Sequence, residues 1–383
     1  MLHKLLSIFF LLGITSVLAQ NVSVEDYDVP ISTAKILRFT GTYNWAQSSN
    51  DSVVFVTANN ATANLVFSTF YSSLPFAWFL DVNATGGKNF DQYNHDVTIA
   101  PSIRKYLWDD KNWFGFASAF VEHANTYKQI ASDVTLGGGY GRYINATALA
   151  KAVRIEEHLI RESVISGNLP KETMIKIANI IEREDEYRGI YGDTYEKDWY
   201  EAIEKEIKAS GLLNGESLGA IGILRTQQVL KGINEIVRDR YYGWDLTLGV
   251  LFNLSTWDKS DTRSPALSFG GRFSHPIAWR SQINAFANIN SPLDSTFFKF
   301  YFLNAGLDYV YELSNKINFL ASYRMNLTQP SVGDSFIDHN LLGSFVFYLE
   351  NSINLGINAG VVRSGISKTT DLFTSVSVQY NLF

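Results

Sequence analysis

Apolar and polar residues alternate along most of this chain. From Val376 the apolar set falls on every second position, Val376, Val378, Tyr380 and Leu382, with Ser377, Gln379 and Asn381 between them. Successive side chains of a strand point to opposite sides, so this pattern makes a ribbon with one greasy and one wet face. Near the start, Leu37, Phe39, Gly41, Tyr43 and Trp45 alternate in the same way with Arg38, Thr40, Thr42 and Asn44. Runs of this kind predict strands near 35–46, 61–73, 75–86, 95–108, 112–127 and 130–145. Eight more lie near 241–256, 264–275, 278–290, 296–312, 315–328, 336–349, 351–363 and 371–383, fourteen in all. Ser52 to Thr57 reads either as an arm of the first hairpin or as loop, which leaves 12 or 16 strands open.

Between the two groups of strands the period changes. From Ala146 to Arg240, 31 of 95 residues are charged, against 39 of the other 288. Leu149, Val153, Leu159 and Ile160 stand at helical spacing within 147–163. Pro170 suits the first turn of a helix toward Tyr187, where its missing N–H is not needed. Asp193 or Thr194 can cap a helix ending near Gly211. A last helix is expected over 217–240, through Val229, Leu230, Ile233, Ile236 and Val237, weakened by Gly219, Gly222 and Gly232. The insertion therefore reads as a small helical bundle.

The ends and the composition narrow the class. Lys4, the apolar stretch Leu5–Val17 and the small residues before Gln20 read as a secretory signal peptide over 1–19. With no Cys, disulfides, thiolate metal sites and cysteine nucleophiles are excluded. After residue 19 no run of 18 apolar residues offers a membrane helix, yet 14% of the chain is aromatic and only 18% is charged. The formal charge of −6 argues against nucleic acid as a partner.

A final amphipathic strand that stops on Phe383 resembles the closing strand of bacterial outer-membrane β-barrel proteins, in which it carries the assembly signal, here Tyr380, Leu382 and Phe383. In the commonest form of that signal the terminal aromatic shares the parity of the apolar set; here Leu382 has that parity and Phe383 is one step off. The resemblance implies a mainly β fold: a transmembrane antiparallel β-barrel of about 14 strands, in which an even number is usual, with an inserted periplasmic α-helical domain. The expected domains are a short periplasmic segment 20–34, a first stretch of barrel 35–145, the helical insertion 146–240 and a second stretch of barrel 241–383. Both termini of the barrel then lie in the periplasm. Inner turns come out short, as at Ser314-Asn315, and outer loops longer, as at Gln47–Asn60 and Gly87–Asn94. The implied partners are the lipid bilayer and the barrel-assembly machinery. Trp45, Trp78, Trp108, Trp113, Trp244, Trp257 and Trp279 all fall near strand ends, where an interfacial aromatic girdle sits. A soluble β-sandwich array is the competing class, and it would place tryptophan more often in mid-strand core.

Alternation assigns Arg38, Asp81, Asp96, Arg104, Asp245, Arg272, Arg280, Asp308 and Arg324 to the lumen, among many Asn, Ser and Thr. Such a wall suits either a hydrated pore or a filled, cross-paired interior. Glycines 137–139 and 141 permit a bend of the sixth strand or close approach of the helical block. No hydrolase elbow occurs, and Glu122-His123 and Asp338-His339 are neighbours on a strand whose side chains point apart, so no acid–base dyad and no enzyme is expected. His158 with Glu156 and Glu157 reads as a solvated helix face rather than a metal site, and no cofactor is implied. The leading expectation is a porin-like channel for small polar solutes whose helical domain plugs, gates or extends the inner mouth. The alternative is a membrane anchor whose 146–240 segment docks a periplasmic protein or the cell wall.

Overall fold

The structure, a computed structural model, describes residues 21–380 apart from 28–30, 51–52, 74, 109–110, 234, 236, 261 and 350–352. The proposed signal peptide, Leu382 and Phe383 therefore lie outside the described residues, as do the side chains of Arg38 and Tyr380.

Fourteen strands form one antiparallel sheet in strict sequence order. They are β1 (Ile31–Asn50), β2 (Val53–Ser73), β3 (Phe76–Asn89), β4 (Gln92–Tyr106), β5 (Trp113–Ala124), β6 (Ala131–Asn145) and β7 (Tyr241–Ser255). Then come β8 (Ala266–Ala278), β9 (Ser281–Pro292), β10 (Tyr301–Ser314), β11 (Ile317–Gln329), β12 (Phe336–Tyr348), β13 (Ile353–Arg363) and β14 (Thr370–Tyr380). Among the described residues β1 and β14 do not pair with each other, so both are edges.

Two expected loops are strand instead. Gln47–Asn50 and Val53–Asn60 continue the first hairpin, with Asn50 opposite Val53, and Gly87–Asn94 closes tightly, with Asn89 opposite Gln92. Polar residues there gave no alternation to read, but the ladder keeps satisfying backbone donors and acceptors past the end of the apolar pattern. Ser52–Thr57 accordingly resolves as hairpin from Val53 onward.

The insertion after β6 folds into α1 (Thr147–Arg161), α2 (Lys171–Glu182), α3 (Glu184–Tyr191), α4 (Tyr195–Ala209) and α5 (Gly219–Lys231). The segment expected as one helix from Pro170 breaks at Arg183, whose backbone leaves the helical region at ψ 22°. The last helix stops well short of 240. Gly232 takes the left-handed conformation at φ 65° and the Ile233 N–H caps the Gln228 carbonyl at 2.9 Å. From there an irregular strap leads to β7, with Arg240 fully buried.

The bundle has its own apolar core of Leu149, Val153, Leu159, Met174, Ile177, Trp199, Ile203 and Val229. Trp199 donates its indole N–H to the Ile180 carbonyl at 2.8 Å, so a buried polar atom is satisfied. The N-terminal segment joins that core: Val22, Val24 and Tyr27 are buried among the helices. This segment also ties to the sheet, since Trp279 donates to the Val22 carbonyl at 3.1 Å and the Tyr242 hydroxyl to the Tyr27 carbonyl at 2.6 Å.

The sheet is sharply curved between β4 and β8. Arg104 of β4 reaches Asp245 of β7 at 2.7 Å although β5 and β6 lie between. Tyr143 of β6 likewise reaches Ser274 of β8 at 2.7 Å across β7. The glycines of β6 make this possible. A Cβ on Gly137 or Gly139 would sit inside contact distance of the Leu248 or Leu246 carbonyl oxygen and of the Phe116 or Phe114 ring. The two rings lie across that glycine stripe, and the Arg104 guanidinium stacks 4.0 Å from the Phe114 centroid. Of the two expected roles for these glycines the bend is the one observed; the side chains over them come from β5, not from the helical block.

Gly139→Ala is expected to destabilise the fold by about 1–3 kcal/mol, because backbone has to move. Gly138→Ala, whose Cβ would meet only the Phe114 carbonyl at an ordinary 3.5 Å, should stay within about 0.5 kcal/mol of wild type. Denaturant unfolding of the two variants side by side checks this, and equal losses would contradict it.

Candidate functional site

Register carries side-chain parity from strand to strand. Asp81 stands opposite Ala100, which shares its face with Asp96 and Arg104. Arg104 stands opposite Phe116, Phe116 opposite Gly137, and Gly141 opposite Asp245, which faces Arg272. The same parity continues through Asn284 to Asp308 and through Gly306 to Arg324. All these charges therefore share one face, to which the Arg38 backbone also belongs, opposite Val66. It is the concave face of the curved region, since Arg104 meets Asp245 across it.

On that face the charges pair. Asp245, almost wholly buried, accepts from Arg104 at 2.7 Å and from Arg272 at 2.5 Å. Arg272 also lies 4.5 Å from the Tyr143 ring centroid. Arg324 bridges to Asp308 at 2.8 Å, and Ser68 donates to Asp81. Arg280 is elsewhere: it sits in the turn between β8 and β9 and reaches Glu157 of α1 at 3.0 Å.

Glu157 belongs to a second polar assembly, where the helical block meets the strand ends. Arg154 of α1 bridges to Glu312 of β10 and to Glu235 of the strap, the latter at 3.1 Å. Arg240, at 0% exposure, donates to Glu312 at 2.6 Å and to the Trp279 carbonyl at 2.9 Å. His158 pairs with Glu235 at 2.6 Å and approaches Asn315 of the β10–β11 turn at 3.4 Å. The Arg238 N–H adds a third donor to Glu312 at 3.1 Å. Three carboxylates, Glu157, Glu235 and Glu312, thus meet the guanidinium groups of Arg154, Arg240 and Arg280 in a largely dry junction. On the far side of the block, Glu182 accepts the Thr33 N–H of β1 at 3.0 Å. The block accordingly spans the end of the sheet, from β1 to β10 and β11.

This junction corrects one expectation. Glu156 and His158 are buried and Glu157 is half-buried, so the three do not form a solvated helix face. The sequence shows Arg154, Glu157 and His158 on one side of a helix, but the groups that cover them, Glu312, Arg280 and Asn315, come from distant turns and strand ends. The local signal was the spacing of opposite charges at i and i+3; nothing local distinguishes a buried set from an exposed one.

The opposite face of the sheet is apolar and open. Trp45, Trp78, Trp113 and Trp244 are exposed there, while Trp108 and Trp257 are exposed in turns. Trp113, Tyr140 and Trp244 form a row, with centroids 4.9 and 5.8 Å apart. Trp279 departs from the expected girdle, being partly buried against the helical core. His95 and His123 lie 5.2 Å apart on this apolar face, with Glu122 on the other, and His339 takes a 2.7 Å bond with the Tyr323 hydroxyl. Among the described residues no group of three or more His, Asp or Glu side chains is placed to hold a metal ion.

Burial pushes the Glu156 carboxyl up to about 7, partly offset by the Leu169 N–H that donates to it at 2.5 Å. Glu235 is also buried, which would raise it, but His158 and Arg154 together hold it below the usual carboxylate range. No family model matches the chain, and no curated protein matches it.

The raised group makes a pH-dependent cost. The folded state favours protonated Glu156, so its contribution is most favourable below about 4.5 and is lost as pH rises to about 7. Glu156→Gln keeps an acceptor for Leu169 without a charge. It should raise the unfolding free energy at pH 8 by up to about 3 kcal/mol and leave it nearly unchanged at about pH 4, at about 1.4 kcal/mol per pKa unit. Thermal unfolding at the two pH values reads this directly; an equal shift at both would contradict it.

Proposed function

We propose that this chain is an outer-membrane β-barrel that conducts small polar solutes, with the helical block as a cover over its periplasmic mouth. The observation that carries the reading is the division of the sheet into two faces. Leu372, Val376, Val378, Leu248, Leu341 and Phe273 all stand exposed on one face, Leu372 at 79%, in a belt far wider than water tolerates on a monomer. The other face holds Arg, Asp, Asn and Ser. Lipid outside and water inside give each face its solvent. The exposed row Trp113, Tyr140 and Trp244 lies at the strand ends nearest the block, where headgroups would meet indole.

Closure belongs to the same reading. Lipid cannot satisfy the free backbone groups of β1 and β14, and an even number of strands lets the two pair antiparallel. With the N-terminus in the periplasm, the insertion after β6 hangs on the periplasmic side. Its buried bond set with β10 and the strap, and its contact with β1, favour a cover across the mouth over a domain standing clear. An anchor that docks a periplasmic partner is the second reading, favoured by exposed Ile221 and Leu224 on α5, beside a shallow groove lined by Glu204, Ala220 and Ile223.

Amide hydrogen exchange tests closure: in a closed barrel consecutive amides of β14 are all slow, whereas an open edge leaves every second one fast. Single-channel recording tests function. Full-length Arg154→Ala, which strips Glu312 and Glu235 of a partner and costs the junction about 3–5 kcal/mol, should open more often or conduct more than wild type, as should Glu312→Gln. Equal conductance in all three supports the docking reading, and inserted, folded chains that never conduct remove the channel reading.

A further inference from the structure

The charges of the concave face are not spread evenly along the strands. In the half nearest the helical block lie Arg104, Arg272 and the backbone of Arg38, together with Asp81, Asp245, Asp308 and Glu312, and Arg324 stands just past mid-strand, opposite Gly306, with its guanidinium turned back to Asp308. Every acid of this half except Asp81 meets a guanidinium, Glu312 through Arg154 and Arg240 of the insertion. The far half is different. Register puts Asp96, Glu122, Asp133, Asp338 and Asp371 on the same face there; among the described strand residues it puts only Arg324 beside them, diagonal to Asp338 and already paired with Asp308.

Three of the five contact neutral groups. Asp133 accepts from the Asn253 amide at 2.8 Å, Asp338 from the Gly365 N–H at 2.9 Å, and Glu122 is bonded to the Tyr127 hydroxyl. The far rim carries both signs, as where Lys88 near the end of β3 faces Asp91 of the following turn at 3.6 Å. A paired half contributes little field at a distance, whereas unpaired carboxylates on a low-dielectric wall add up. Their potential reaches about 8 Å at physiological salt, a distance comparable with the width such a passage offers.

Resting on the channel reading, we infer that the solutes this protein favours are small cations, drawn in at the end away from the helical block by the carboxylates of Asp96, Glu122, Asp133, Asp338 and Asp371. The charge-balanced half beyond adds little further preference.

The test is the reversal potential of the full-length protein in a planar bilayer under a KCl gradient, with full-length Arg154→Ala as the open form. The expected sign is that of cation preference. It should move toward zero in Asp96→Asn/Asp133→Asn and at high salt, and stay put in Asp294→Asn, which lies in a turn. A reversal potential at zero or of the anion sign, or one that the double variant leaves unmoved, overturns the inference while the channel reading stands. Absence of any conductance overturns both.

Discussion

Glu312 is the point through which the helical block and the sheet are held together. It sits near the end of β10, 1% exposed, and accepts from Arg154 at the start of the insertion and from Arg238 and Arg240 at its end. A carboxylate so placed is tolerable only because guanidinium and backbone donors surround it; remove them and an uncompensated buried charge remains. Both ends of a domain of 95 residues are thereby fixed to a strand that neither adjoins in sequence. The position of the bundle over the strand ends, the burial of His158 and the seating of the N-terminal segment beneath Trp279 all depend on that anchorage.

The sheet solves a separate problem. Fourteen strands in meander order need curvature to present a concave face, and β6 supplies a corner by omitting side chains at Gly137 and Gly139. Phe114 and Phe116 fill the space, and Arg104 passes over Phe114 to Asp245. The ion pair is thus a consequence of the corner as well as a brace for it. Beyond the corner, the period of two keeps most Leu and Phe and the strand Trp on one face and most of the charge on the other.

These two devices bear on function in different ways. The two-faced sheet is what makes a lipid-facing barrel with a wet interior the best reading of the chain. The junction is what favours the proposed cover over a tethered domain, because a largely dry, charge-paired interface does not suit a domain that floats free. The distribution of unpaired carboxylates then concerns what such a passage would admit, and it is independent of how the mouth is covered.

Much of this was legible in the residues. Alternation located all fourteen strands to within a few positions at most ends, and helical spacing with high charge set the insertion apart at Ala146 and Arg240, because both signals are local and repeat. Parity also assigned the charged residues to one face without any knowledge of partners. The sequence left open whether the first hairpin extends through 53–57, and it had no means of saying that 87–94 continues as hairpin, that Gly232 ends the last helix, or that Arg280 and Trp279 leave the sheet faces for the junction. Least of all did it show that Glu156 and His158 are buried. A helix face reads as wet or dry only by what lies against it, and here that is Glu312, Asn315 and Arg280, more than a hundred residues away in sequence. Periodicity is a property of neighbours along the chain; burial and charge pairing are properties of neighbours in space, and those the tertiary structure alone decided.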